Sequence, residues 1–446
     1  MEDGMELNTK YLLIGNSAGG IGAAEAIRET DDTGSVLIVS CEPYPAYSRP
    51  LISKYLAGER TLDGMLFRPN DFYSRNNISL LLERTVKNLD LTRRIAYLES
   101  GEQITWDKLL LATGGVSILP AMDGIDKEGV FHFIGLDDAK AIDSFIGDNR
   151  KAVVIGGGLI GVSVTEALTE RGLDVTIVEM KERILNTVLD EQASLMFEDA
   201  LSRAGVEILT NHTVAEVTGK VFVDGVILDD GEHIPCDLVV VAIGVTPCTA
   251  LALNSGINVN RGIVVDRYMA TSYPDVYSCG DAAEVHDFIY ETNRVIPIWP
   301  NAYIGGRVAG YNMAGASIEY AGITAMNSLN YFGLDITSAG VVAPQDSSKY
   351  EVFDRKRNGS YWKVVLSDDH VIGMVFVKDI EKSGIIFSLM RDRVNVGNFK
   401  QALLDDDFGL VYFPRHLRQE RLGAICPDMN LVSTAPVEGN ESLTGE

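Results

Sequence analysis

Basic charge is scarce in this chain: 38 lysines and arginines stand against 63 aspartates and glutamates, a formal net charge of −25. Such a field repels phosphate at long range, which excludes nucleic acid and anionic membrane surfaces as partners except through a local basic patch. Cysteine is scarce too. Cys41, Cys236, Cys248, Cys279 and Cys426 form no C-x-x-C or C-x4-C pair, so a local iron–sulfur or zinc signature and a redox disulfide between neighbours are excluded. They read as reduced, mostly buried thiols. The six histidines fall at no metal-ligand spacing, and no metal is expected. No apolar run approaches the ~18 residues of a membrane span. The opening Met1-Glu2-Asp3-Gly4-Met5 is acidic where a secretory leader is basic, so the expected setting is cytoplasmic.

Glycine is plentiful, and two glycine-rich turns organise the chain. The better formed is Lys151-Ala-Val-Val-Ile-Gly156-Gly-Gly158-Leu-Ile160-Gly161, an apolar β-branched run that meets spaced glycines and opens an amphipathic segment ending at Gly172. This spells strand, tight turn, helix. Gly156 permits the turn, Gly158 lets a pyrophosphate approach the backbone, and Gly161 lets the helix lie close to the strand. The helix N-terminus then turns free N–H groups and a positive dipole end toward the phosphates. A second strand, Asp174–Glu179, ends in a carboxylate placed to accept hydrogen bonds from ribose hydroxyls. The other turn is a looser copy, Tyr11-Leu-Leu-Ile-Gly15-Asn-Ser17-Ala-Gly-Gly20, with Ser17 where the middle glycine is expected.

At 446 residues the chain exceeds one core, and two or three domains are expected. Cys41-Glu42-Pro43 opens a proline-rich loop running through Arg49 and Lys54. It leaves the end of the second strand, where doubly wound sheets bind ligands, so both cations face either a cofactor or solvent. An apolar strand, Lys108–Ala112, breaks at Thr113-Gly114, and Asp237–Ala242 breaks in the same way before Gly244, the mark of an internal duplication. Val276-Tyr-Ser-Cys-Gly280-Asp281 returns to strand character, and Asp281 is expected to open a helix. The small-residue helix around 302–315 suits packing against a flat cofactor or a close helix. From about residue 324 alternating strands and a helix over 380–390 predict a third domain.

These residues resemble the two-dinucleotide-fold flavoproteins called pyridine nucleotide–disulfide oxidoreductases, from about Lys10 to Leu422. Arg49-Pro-Leu-Ile-Ser-Lys54, Trp299-Pro-Asn-Ala302 and Val377–Gly384 look like the branch holding ferredoxin and rubredoxin reductases and the flavin portion of NADH-dependent nitrite reductase. The resemblance implies an α/β chain of two Rossmann-like dinucleotide-binding domains plus a C-terminal α+β domain. FAD takes 1–115 with 245–322, NAD takes 116–244, an interface domain takes 323–425, and 426–446 stays unstructured. It implies Gly15, Ser17 and Gly20 at the FAD pyrophosphate, Val86 at the adenine, and Glu42 or its neighbour Cys41 at the ribose. Arg49, Thr113, Gly114 and Gly280 border the same cofactor. Asp281 bonds the ribitol chain, Trp299 and Ala302 border the pyrimidine end, and Lys54 is the catalytic cation at the flavin N5 edge. Gly156, Gly158, Ile160, Gly161, Glu179 and Gly244 fall to NAD, with Glu179 favouring NADH. In relatives a glutamate partners this lysine where Ser163 stands here; Glu166 is the substitute, or Lys54 stands unpaired.

The implied activity is an FAD-dependent NADH:acceptor oxidoreductase working in either direction with an iron–sulfur protein or subunit, and a homodimer is allowed. An NADH oxidase, peroxidase or CoA-disulfide reductase needs a redox cysteine that Tyr47–Lys54 lacks. A quinone reductase needs an apolar anchor. A redox-signalling protein without turnover is the remaining alternative. Arg355, Arg357, Arg391, Arg393, Arg415, Arg418 and Arg421 suggest a basic docking face on the third domain, with Trp362 or Phe413 as apolar anchors; the competing expectation is that Asp405, Asp406 and Asp407 neutralise it.

Overall fold

Strand Glu6–Ile14 lies at the centre of a seven-stranded sheet, and its Tyr11-Leu-Leu-Ile14 run is buried on both faces. Continuous apolar runs of this kind suit parallel strands covered on both sides. It pairs in parallel with Val36–Val39 and with Gln103–Leu111, which also receives Val276–Ser278 in parallel. The computed structural model describes residues 6–419 apart from 149, 345, 347 and 416; Cys426, Arg421 and the segment 426–446 lie outside them.

Helix Ala18–Thr30 follows the first strand, and helix Trp299–Met313 lies against it. Glycine makes that approach possible. A Cβ on Gly306 would sit 2.1 Å from the Gly19 carbonyl oxygen, and one on Gly310 2.3 Å from that of Ala23. The small residues in the middle of 299–313 therefore serve a helix contact, and the N-terminal part of that helix, from Trp299 to Ile304, lines a large cavity. The expected helix after Asp281 is a single 3-10 turn, Gly280–Ala282, followed by strand Ala283–Asp287. That segment is claimed instead by sheet pairing to Ile263–Val264 and Thr292–Val295, with Ala283 and Val285 buried.

Residues 115–117 and 245–247 pair as two short antiparallel strands where the chain enters and leaves a second unit. Its sheet has five parallel strands in the order Glu207–Thr210, Asp174–Glu179, Lys151–Ile155, Leu238–Val241, Val130–His132. The third unit is a five-stranded antiparallel sheet, Met326–Val377, covered by helix Ser383–Arg391. Trp362 and Phe413 belong to its core, 8% and 2% exposed, so neither offers the apolar anchor that the sequence suggested. Polar contacts tie this unit to the second. Buried Asp190, which caps helix Glu191–Arg203, accepts from the Tyr361 hydroxyl at 2.6 Å and from Lys363 Nζ at 2.9 Å.

Candidate functional site

One cavity of 1770 Å³ is lined by both glycine turns, by the loop after the second strand, and by the third unit through Met326 and Tyr331. Its floor is built from backbone geometry. Gly15 has φ 121°, and a Cβ there would lie 2.1 Å from the Ala112 carbonyl oxygen; Gly20 would put one 1.9 Å from that of Gly15. Gly156, at φ 108°, and Gly161 repeat the arrangement against Ala242 and Gly156, at 2.5 and 1.9 Å. Gly20 and Gly161 shape their turns from outside the cavity wall, whereas Gly15, Gly156, Ile160, Gly114 and Gly244 lie on it.

Gly158 differs in kind. Its φ of −81° suits any residue, and nothing lies within 4 Å of where its Cβ would be. Neither backbone nor packing asks for glycine, so the space is available to a ligand against the helix N-terminus. Glu179 closes the same turn: one carboxylate oxygen accepts from Gly157 N at 2.6 Å and the other from Lys181 N at 2.8 Å. On the first turn Ser17 precedes helix Ala18–Thr30 with φ −127° and makes no side-chain capping bond.

Around the first turn the side chains are more heavily engaged. Glu42 accepts from Arg49 Nη2 at 2.8 Å and from the Tyr47 hydroxyl at 3.1 Å. Burial works against the Arg49 charge, but Tyr47 and Glu42 outweigh it and hold its pKa above the ordinary value. Thr113 donates to the Cys248 carbonyl at 2.6 Å. Cys41, Val86, Thr113, Gly280, Trp299 and Ala302 all line the cavity. So does Asp281, whose carboxylate makes no hydrogen bond among the described residues. Burial pushes its pKa up, and Arg49 pulls it back. A part-buried carboxylate without a donor, beside a glycine cradle closed to any Cβ, fits a polyhydroxyl chain that ends in a pyrophosphate.

Lys54 is set apart from the other sequence-selected residues. It is not on the cavity wall; its Nζ donates to Glu59 at 2.9 Å and to Glu166 at 3.2 Å, with Glu170 at 3.9 Å. Burial opposes the Lys54 charge, yet the carboxylates raise its pKa. Three acids surround the ammonium, and Glu166 is its partner on the second-turn helix. Ser163 lines the cavity in front of them. The sequence offered no signal for Tyr331, which comes from the third unit and reaches the cavity beside Ser163.

The duplicated strand–turn–helix units, joined across one cavity, define a protein that holds two dinucleotides. Residues 9–306 match the model of the pyridine nucleotide-disulphide oxidoreductases, and residues 326–394 match that of the rubredoxin NAD+ reductase C-terminal domain. The chain belongs to the pyridine nucleotide-disulphide oxidoreductase family. It is 31% identical over 390 residues to a nitrite reductase (NAD(P)H) of Bacillus subtilis (strain 168), covering 87% of this chain and 48% of that one, so the chain spans about half the length of that relative. It is 32% identical over 393 residues to the NADH-dependent phenylglyoxylate dehydrogenase subunit epsilon of Aromatoleum evansii, covering 87% and 93%. Among solved structures it is similar to the NADH:rubredoxin oxidoreductase of Clostridium acetobutylicum, at 27% identity, TM-score 0.74, and 88% and 97% coverage. FAD and NAD(H) are the cofactors of this family, and both turns have the cradles that such dinucleotides require.

Proposed function

We propose that this chain moves electrons between NAD(H) and an iron–sulfur protein, or an iron–sulfur subunit of a larger assembly, with FAD as the intermediary and in either direction. The observation that carries the reading is the continuity of the cavity. At 1770 Å³ it exceeds the ~300–1,000 Å³ of a single-ligand site, and it runs from one glycine turn to the other. FAD, when bound, supplies the chemistry that links a two-electron donor to one-electron carriers. The chain supplies position. Gly15, Ser17 and the N-terminus of helix Ala18–Thr30 hold the FAD pyrophosphate, Asp281 accepts from its ribitol hydroxyls, and Gly158 with Glu179 receives the nicotinamide dinucleotide. No nucleophile or catalytic triad is needed. Cys279 lies fully buried, its thiol pushed up to about 12 by burial, which opposes thiolate chemistry there. A cytoplasmic setting accords with the free state of all four described cysteines.

Among the basic residues of the third unit, Arg355 and Arg357 pair with Asp406, and Arg393 pairs with Glu291. Local neutralisation thus accounts for the Asp406 group. Arg391 pairs with Asp392, and Arg415 and Arg418 are the docking cations of this proposal. Anaerobic mixing with NADH, followed by addition of an oxidised ferredoxin or rubredoxin, tests the function. FAD reduction and then carrier reduction are expected, with the second step slowed by added salt and by Arg415→Glu with Arg418→Glu. FAD reduction without electron transfer to any one-electron carrier favours the signalling alternative.

A further inference from the structure

Two units that each hold one dinucleotide must also be held against each other. Hydride transfer needs its two reacting atoms about 3–3.5 Å apart, so the second unit has to sit on the first at one distance and one angle. Chain connectivity supplies little of that. Residues 115–117 and 245–247 enter and leave the second unit as a single antiparallel pair, one line of attachment about which a unit can tilt. Tyr47, Ile52 and Leu56 of the first unit share a core with Leu136 and Ile142 of the second, but apolar contact is non-directional.

Direction comes from a polar bridge at the cavity wall. Tyr47 is 3% exposed, and its hydroxyl donates to Glu42 Oε1 at 3.1 Å while accepting from Leu136 N at 3.0 Å. Arg49 spans the same gap: Nη2 donates to Glu42 Oε2 at 2.8 Å and Nη1 to the Ile134 carbonyl at 3.3 Å. Leu136 opens helix Leu136–Ile146, and the first N–H groups of a helix have no partner within it. Asp138 takes those of Ile134 and Gly135, each at 2.8 Å, and Tyr47 takes that of Leu136 from the other unit. Gly135 lets the two units close, since a Cβ there would lie 3.3 Å from Glu42 Oε1 and 3.6 Å from Arg49 Nη1. Glu42, Arg49 and Ile134 all line the cavity. Burial, the largest influence, holds the Tyr47 pKa well above the ordinary phenol value, so the hydroxyl keeps the proton that it donates.

We propose that Tyr47 and Arg49 are positioning residues which, through Glu42, set the register of the second unit on the first. This rests on the functional reading above, in which the flavin dinucleotide lies in the first unit and the nicotinamide dinucleotide in the second. A carboxylate offers about four acceptor sites, and the bridge takes a site on each oxygen of Glu42, which leaves room for ribose hydroxyls without breaking it. The acid that receives the one ligand is thereby tied to the unit that holds the other.

The test uses Tyr47→Phe, which removes both hydroxyl bonds and keeps the ring, and Gly135→Ala, which wedges the bridge from the second unit at a φ of −127° that alanine accepts. In the apoprotein, amide hydrogen exchange at Leu136 is expected to speed up in Tyr47→Phe, while Ile134 and Gly135, held by Asp138, exchange as in wild type. In the FAD-loaded protein mixed rapidly with NADH, flavin reduction at saturation is expected to slow about 10-fold in Tyr47→Phe, below the ~100-fold that a 1 Å misplacement can cost. Gly135→Ala is expected to slow it about 3-fold. Kd for NADH should not move, because the Gly158 turn is untouched. Reoxidation of dithionite-reduced flavin by ferricyanide, which bypasses the second unit, should keep its wild-type rate. An unchanged reduction rate in a folded, FAD-loaded Tyr47→Phe protein would overturn the register. So would a loss confined to Kd for NADH, an equal loss in the ferricyanide reaction, or wild-type exchange at Leu136. If Tyr47→Phe does not fold, Gly135→Ala decides by its reduction rate and Kd. Failure of NADH to reduce the wild-type flavin instead removes the functional reading on which the proposal rests.

Discussion

The two glycine turns have the same skeleton and different fittings. In both, the first glycine adopts a left-handed φ under a carbonyl of a neighbouring strand end, and the last glycine closes on the first at 1.9 Å from a built Cβ. The acids differ. Glu42 is held by the side chains of Arg49 and Tyr47, whereas Glu179 is held by the backbone N–H groups of Gly157 and Lys181. The supports differ as well. Helix Ala18–Thr30 is clamped by helix Trp299–Met313 through glycine contacts, while helix Leu159–Glu170 meets the third unit through Glu166 and Phe332. The first turn's acid is braced by side chains of the loop that follows it; the second turn's acid is braced by backbone N–H groups beside it.

The comparison breaks most severely at the shared closing glycine. Gly20→Ala and Gly161→Ala each force a methyl group onto a carbonyl and should cost about 3 kcal/mol or more, the upper range for overpacking. Gly20→Ala is expected to yield protein without FAD. Gly161→Ala should retain FAD and lose NADH-dependent reduction, as flavin content and rapid mixing would show. Equal flavin loss in both would erase the distinction between the turns.

Glu179 sharpens it next. A carboxylate about 4 Å from the extra phosphate of NADPH costs about 4 kcal/mol at an effective dielectric near 20, so NADH should be preferred by at least ~100-fold in kcat/KM. Glu179→Gln should shrink that preference below about tenfold by removing the like charge. A wild-type enzyme using both cofactors equally would contradict this.

Asp281 carries the smaller effect on the FAD side. Loss of a charged acceptor in Asp281→Asn should weaken FAD by about 1.5–3 kcal/mol, measured by titrating apoprotein. Stability moves oppositely. Burial raises the folded pKa of this acid, so the folded state holds the proton more tightly than the unfolded chain. Wild-type apoprotein therefore loses stability as pH rises through the ordinary carboxylate value toward the raised one. The asparagine variant should melt higher than wild type at neutral pH, and the gap should close in acid.

Gly158→Ala is subtler still: the apoprotein should gain about 0.4–1 kcal/mol, since backbone and space both accept alanine, while KM for NADH rises. Smallest of all is the effect of replacing the five cysteines by serine or alanine, which should leave NADH-to-dye turnover intact apart from stability losses at buried Cys236 and Cys279. A charge-transfer band that vanished with Cys41 would reveal a redox thiol.

By itself the sequence determined the two turns, their order and the acids at the strand ends. Each is settled within some thirty residues, by φ, by the room a Cβ needs and by apolar runs, all of them local quantities. The tertiary structure decided the rest. Trp362 and Phe413 looked like surface anchors because local pattern does not report which face of a sheet is covered. Asp281 looked like a helix start because the strands that claim the residues after it are distant in sequence. Lys54 was expected either with Glu166 as a substitute partner or unpaired, and its ammonium meets Glu59 and Glu170 as well as Glu166. Tyr331 lines the same cavity as Ser163 from another unit, 168 positions away. Such meetings arise from how whole sheets and helices pack, and no short stretch of sequence contains both sides of the contact.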